Sequence, residues 1–201
     1  DGKTPLLWAV LNEDIAMINW LLDHGAEYII DSVFSEAIKT ENLQVVQVLR
    51  KRGTFELGTD KTKSPLAVAI NLNSVNIAKY LIESGAKVVD ELESEISTII
   101  DLLKRNYIEM IKLLTENGAR LDECDSDGET VLTTVKRENF DMAKYFVERG
   151  ASVNQANAEG LTPLVIAEAN NDFQTFQFLV DNGAKITEED QEESPKLARY
   201  Y

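Results

Sequence analysis

Asn157-Ala158-Glu159-Gly160-Leu161-Thr162-Pro163-Leu164-Val165-Ile166-Ala167, then Phe173 to Val180, then Asn182-Gly183-Ala184, is the stretch on which the fold turns. Thr162 carries a side-chain oxygen suited to a helix N-cap, and Pro163 suits the first helical position, where no intrahelical N–H partner is needed. A first helix starts there. Leu164 and Ala167 lie three residues apart on one face, and the alanine is small enough for close helix approach. After the break at Asn170-Asn171-Asp172, the helical spacing of Phe173, Phe176, Leu179 and Val180 predicts a second helix. Gly183 supplies the left-handed conformation that ends it. The pattern reads helix, turn, helix, then an extended excursion.

The same ending recurs outward along the chain, at Gly25-Ala26, Gly53-Thr54, Gly85-Ala86, Gly118-Ala119, Gly150-Ala151 and Gly183-Ala184, in steps of 28, 32, 33, 32 and 33 residues. A period of this size marks stacked supersecondary units. Such an array puts its function on a surface, not in a pocket. The openings recur too, at Thr4-Pro5-Leu6, Ser64-Pro65-Leu66, Thr130-Val131-Leu132 and Thr162-Pro163-Leu164, with degenerate forms at Ser32-Val33-Phe34 and Ser97-Thr98-Ile99. Opening to closing glycine is 21 residues in five units and 20 in the fifth, from Thr130 to Gly150.

In these openings and closings the chain resembles the ankyrin-repeat family. The resemblance implies an all-α repeat solenoid, with stacked ankyrin helix-turn-helix units and short β-hairpin fingers. Six repeats fall at about 1–30, 31–60, 61–92, 93–124, 125–156 and 157–189 of one domain spanning 1–201, with a partial seventh at 190–201 opened by Ser194-Pro195. Tetratricopeptide arrays have a similar period but lack both the proline opening and the Gly-Ala closing. The histidine that usually follows Thr-Pro-Leu in the family is replaced by Leu7, Ala67 and Val165. The short interval from Gly25 to Ser32, 7 residues against 12 from Gly85 to Ser97, predicts that a tight link through Tyr28-Ile29-Ile30 replaces the first finger.

Composition narrows the function. Thirty-five acidic against twenty basic side chains give a net charge of −15, which repels phosphate backbones and argues against nucleic acid as a partner. The apolar runs are too short to span a bilayer, so no membrane insertion is expected. A single cysteine, Cys124, cannot form an internal disulfide, and this points to a reducing, intracellular and cytoplasmic setting, with delivery into a host cell as an effector left open. His24 and Cys124 fall in distant repeats of an array whose stacked helix pairs are spaced by roughly 10 Å each, so they do not form a nucleophile and base. The run Glu123 to Gly128 has oxygens at alternate positions but places Thr134 where a calcium loop needs a bidentate glutamate. The reading is of a non-enzyme without metal or cofactor.

What remains is an interaction module, expected as a monomer. The resemblance implies that partners dock on the concave surface formed by first helices and hairpin tips. Carried over by position, the candidate partner-binding residues are an apolar group, Trp8, Leu11, Val68 and Leu72, and a basic spot at Lys104, Arg105 and Arg137. The acidic finger residues Asp125, Asp127 and Glu129 complete the set and suit a protein partner with a basic segment. Asp90, Glu91, Glu93 and Glu95 make the preceding finger acidic as well, although acidic fingers also serve solubility alone. A second reading makes the array the substrate-recruiting or targeting arm of a larger enzyme or secreted effector whose catalytic domain lies outside this chain.

Overall fold

The computed structural model describes residues 4–26, 30–52, 64–88, 92 and 95–186. The Tyr28-Ile29 link, Gly53-Thr54, Asp90, Glu91, Glu93 and the partial seventh repeat at 190–201 lie outside the described residues. The chain forms two compact units, Asp1–Glu93 and Ser94–Tyr201, and their division falls beside the boundary expected between the third and fourth repeats.

In the first unit, α1 (Pro5–Leu11) pairs with α2 (Ile15–Asp23), α3 (Ile30–Lys39) with α4 (Leu43–Arg52), and α5 (Pro65–Asn71) with α6 (Val75–Glu83). First helices pack on first helices and second on second, giving two helical layers. The second unit repeats the scheme with α7 (Glu95–Lys104), α8 (Ile108–Glu116), α9 (Val131–Thr134), α10 (Phe140–Glu148), α11 (Pro163–Ala169) and α12 (Phe173–Asp181). The apolar registers face inward. Leu6, Leu66 and Leu164 are buried beside the small Ala9, Ala37, Ala69 and Ala167, while Phe146 and Leu179 fill the second-helix layer. Each of these leucine and phenylalanine side chains contributes about 1.5–3 kcal/mol of burial.

The expected caps form. Thr4 Oγ1 accepts from Leu7 N–H at 3.2 Å, Ser64 Oγ from Ala67 N–H at 3.1 Å, and Thr162 Oγ1 from Val165 N–H at 3.4 Å, each followed by proline at the first helical position. The two degenerate openings behave differently. Ser32 and Ser97 lie inside α3 and α7, which begin at Ile30 and Glu95, not at helix caps. Neither serine is followed by a proline to fix a start, so each helix extends further toward its N-terminus.

The fifth repeat shows the effect of its missing residue. In the other five repeats the turn between helices passes through one residue in the left-handed region: Glu13, Glu41, Asn73, Asn106 or Asn171, with φ between 52° and 61°. Between Thr130 and Phe140 there is no room for it. Instead α9 stops after four residues, Val135 turns extended with ψ 127°, and a 3-10 turn over Arg137–Asn139 leads into α10. A capping box compensates at its start, where Thr133 N–H donates to Thr130 Oγ1 at 3.1 Å and Thr130 N–H to Thr133 Oγ1 at 2.8 Å.

The fingers are hydrogen-bonded turns, and no strand occurs among the described residues. Asp125 Oδ1 accepts from Asp127 N–H at 3.0 Å and Glu129 N–H at 2.8 Å, and Asn157 Oδ1 repeats this with Glu159 N–H and Leu161 N–H, both at 3.0 Å. Ala158 N–H then donates to the Gly128 carbonyl at 3.0 Å, joining one finger to the next. That approach requires glycine at 128, where φ is +79° and an added Cβ would stand 2.3 Å from the Ala158 Cβ.

Candidate interaction surface

Within the first unit, the packing of α1 on α3 and α3 on α5 aligns the carried-over positions of three first helices. Trp8 is 60% exposed, Leu11 and Leu72 are exposed and Val68 is half-buried. Between the two apolar helices, α3 contributes Glu36 and Lys39, joined at 2.7 Å, and the half-buried Thr40. The apolar group is therefore divided by a polar helix, which position counting along α1 and α5 alone does not reveal.

In the second unit the basic spot is less basic than its sequence. Arg105 Nη2 meets Asp101 Oδ2 at 3.0 Å across one helical turn of α7. Lys104 stands exposed at the end of the same helix. Arg137 is exposed too, but it lies on the 3-10 turn and not on a first helix, because the shortened repeat ends α9 at Thr134. Its assignment to the first-helix surface is thereby corrected.

The acidic finger divides in the same way. Asp125 holds two loop N–H groups, and Glu129 accepts from Thr133 Oγ1 at 2.6 Å and Asn157 Nδ2 at 3.3 Å. Arg120 pairs with Asp122 at 3.5 Å and also with Glu123. Asp127, exposed at the tip with its carboxylate unbonded among the described residues, is the acid left for a partner. The sequence showed an acidic run; only the bonding pattern separates the carboxylates that build the loop from the one it presents.

Two residues weighed for chemistry have local roles. His24 caps α2, its Nδ1–H donating to the Trp20 carbonyl at 2.7 Å, and its ring stacks on Trp20 with centroids 4.1 Å apart. Cys124 is exposed and accepts from Gln155 Nε2 at 3.1 Å. Among the described residues no group of His, Cys, Asp and Glu is arranged to hold a metal ion, and no helix is long and apolar enough to cross a membrane. A groove of about 470 Å³ lies along α8 and α10. Its lining includes Lys112, Asp141, Lys144 and Tyr145. Tyr145 OH there is bonded to Thr115 Oγ1 at 2.5 Å.

Outside the predicted partner-binding set lie further exposed apolar residues: Met17 and Trp20 on α2, and Phe173 and Val180 on α12. Phe173 and Val180 carry the helical spacing that predicted α12, yet of the four residues of that spacing only Phe176 and Leu179 are buried. The signal available in the sequence was their register against the closing glycines.

A family profile described as ankyrin repeats in three copies matches residues 99–190, and one described as an ankyrin repeat matches residues 1–30. No curated protein matches the chain in sequence. Among solved structures, the chain is similar to an ankyrin repeat domain from Acinetobacter baumannii, at 22% identity and TM-score 0.74, covering 90% of this chain and 98% of that one. It is similar to the ankyrin repeat domain of Bcl-3, a member of the IkappaB family, at 24% identity and TM-score 0.72, covering 92% and 88%. It also resembles a chain in the complex of a predatory endopeptidase with an immunity protein from Bdellovibrio bacteriovorus, at 22% identity and TM-score 0.64, covering 90% and 99%. At these identities the likeness is one of fold.

Proposed function

Because the chain belongs to the ankyrin-repeat family, whose repeats are protein-protein interaction modules, we propose that it is a non-enzymatic binding module for a protein partner. The observation that carries this reading is Trp8, a tryptophan held 60% exposed on the first-helix face of the first unit, with Leu11 beside it on α1 and Leu72 on α5. Exposed aromatic side chains are frequent centres of binding energy. A stacked helical surface is already ordered, so little entropy is lost when a partner docks. Mechanistically the first-helix face anchors apolar side chains of the partner. Lys104, Arg137 and the finger-tip Asp127 offer charge, Asp127 favouring a basic segment. A single cysteine, which can form no internal disulfide, supports a reducing, intracellular setting.

Capture from a source-cell lysate tests this, comparing wild type, the double variant Trp8→Ser with Leu72→Ser, and Asp127→Lys, with melting curves for all three. A protein held by wild type and lost by the double variant at equal melting temperature supports the first-helix face. Loss with Asp127→Lys adds the finger tip. Equal capture by all three refutes both surfaces, and capture of nothing refutes binding by this chain alone.

A further inference from the structure

Counted back from the start of the second helix, two neighbouring repeats carry the same dipeptide. Lys104-Arg105 stand four and three residues before Ile108, where α8 begins, and Lys136-Arg137 stand four and three before Phe140, where α10 begins. At those places the other repeats have Leu11-Asn12, Lys39-Thr40, Asn71-Leu72 and Ala169-Asn170. Counting from the opening threonine hides this register, because the residue missing from the fifth repeat falls between Thr130 and Phe140. The 3-10 turn that takes Arg137 off the first-helix surface puts it in register with Arg105, on the turns between helices.

Both dipeptides lie in the second unit, where α7, which ends at Lys104, packs on α9, which ends two residues before Lys136. All four side chains are exposed. Arg105 is paired with Asp101, but Lys104, Lys136 and Arg137 make no ion pair among the described residues. Acids are not scarce in a chain with 35 of them to 20 cations, and Lys39, Lys79, Arg120, Lys144 and Arg149 each stand beside one. Glu138, the acid next along the chain from Arg137, lines the groove of α8 and α10 with Lys112 and Lys144. Glu109, in the first turn of α8, pairs with none of the four among the described residues.

We propose that these turns take an acidic segment of a protein partner, with carboxylates facing Lys104 on one turn and Lys136 and Arg137 on the next. Neighbouring packed helices stand about 8–10 Å apart. In an extended polyproline-II segment every third side chain faces the same way, at intervals of about 9 Å, so acidic residues at every third position meet successive turns. Like charges left bare on neighbouring turns repel one another, and an anionic segment relieves that repulsion when it binds. The net charge of −15 disfavours a long polyanion, which leaves a short run of carboxylates as the occupant. This names one chemical feature of the partner and rests on the protein-binding reading above. It uses neither Trp8 nor Asp127: the finger precedes a first helix and the turn follows it, so the acidic tip and the basic turns lie at opposite ends of the first helices.

Fluorescence anisotropy tests it with a short labelled peptide bearing glutamate at every third residue, the same peptide with glutamine for glutamate, one with its glutamates bunched together, and a single-stranded oligonucleotide. The proteins are wild type, a patch variant combining Lys104→Gln, Lys136→Gln and Arg137→Gln, and a control combining Lys51→Gln, Lys79→Gln and Lys185→Gln, which removes the same charge from exposed lysines elsewhere. Circular dichroism melts check each fold, and the three single variants replace the patch variant if it melts lower. The expected result is that wild type binds the spaced glutamate peptide, that added salt weakens this, and that the glutamine peptide does not bind. The patch variant weakens binding about tenfold, the sum expected of three exposed ion pairs. The control weakens it by no more than about twofold, because distant exposed charges are screened. A wild type that leaves the spaced peptide unbound overturns the proposal, as do equal losses in the two variants, which would mean that net charge alone is read. Bunched glutamates or the oligonucleotide binding as tightly as the spaced peptide also overturn it. Lysate capture by wild type separates this inference from the reading beneath it: a captured protein with no peptide bound overturns the inference alone, whereas bound peptide with no captured protein overturns the protein-binding reading.

Discussion

Single residues in the finger carry two different jobs, and the position of each carboxylate decides which. Asp125 is an acceptor for two loop N–H groups, so its contribution is to loop geometry. Asn157 performs the same task one repeat later with an amide oxygen and no charge. Asp125→Asn is therefore expected to melt within error of wild type. Asp125→Ala leaves both N–H groups without that acceptor and lowers stability by about 1–2 kcal/mol, measured by urea unfolding. Equal losses for the two variants would show that charge, not acceptor geometry, holds the finger. A similar contrast explains why an acidic run in the sequence overstates the acidity offered to a partner: Asp122 and Glu123 are paired with Arg120, and Asp127 remains.

At the scale of one helix, stability depends on whether the start is capped. Asp14 Oδ1 accepts from Met17 N–H at 2.9 Å at the start of α2, and Asp172 Oδ1 from Thr175 N–H at 3.1 Å at the start of α12. Ser74 holds the same register at the start of α6, and its side chain makes no cap bond. Ser74→Asp is expected to raise stability by about 0.5–1 kcal/mol, because the longer side chain reaches the free N–H groups and its charge faces the positive end of the helix. An unchanged or lowered urea midpoint would refute that cap geometry. The short α9 is the opposite case, a helix whose length is set by chain length: one residue fewer between Thr130 and Phe140 removes the left-handed turn residue and substitutes a 3-10 turn.

For the whole molecule, repeats are held by neighbours, and a repeat at the end of a series has fewer of them. Both tryptophans of the chain, Trp8 and Trp20, lie in the first repeat, whereas helices occur throughout both compact units. Tryptophan fluorescence thus reports the first repeat, and far-UV circular dichroism reports the helices together. In urea the fluorescence midpoint is expected below the circular dichroism midpoint, as the first repeat frays before the rest. Coincident transitions would mean that the chain unfolds as one cooperative block.

The sequence by itself determined the repeat and its register, because those follow from local physics. A threonine or serine followed by proline fixes a helix start, a glycine with positive φ ends one, and apolar spacing selects the packed face of each helix. Where the local signal was weak, as at Ser32 and Ser97, the helix start moved. The twenty-residue span of the fifth repeat marked its defect in advance, but not the 3-10 turn that resolves it or the resulting place of Arg137. Only the tertiary structure decided which side chains are available. Trp8 stays exposed, Arg105 and Asp125 are engaged with their neighbours, and Phe173 and Val180 face outward from a helix whose spacing alone suggested burial. The physical reason is that helical periodicity defines a face, whereas exposure depends on what packs against it, and that belongs to contacts between repeats.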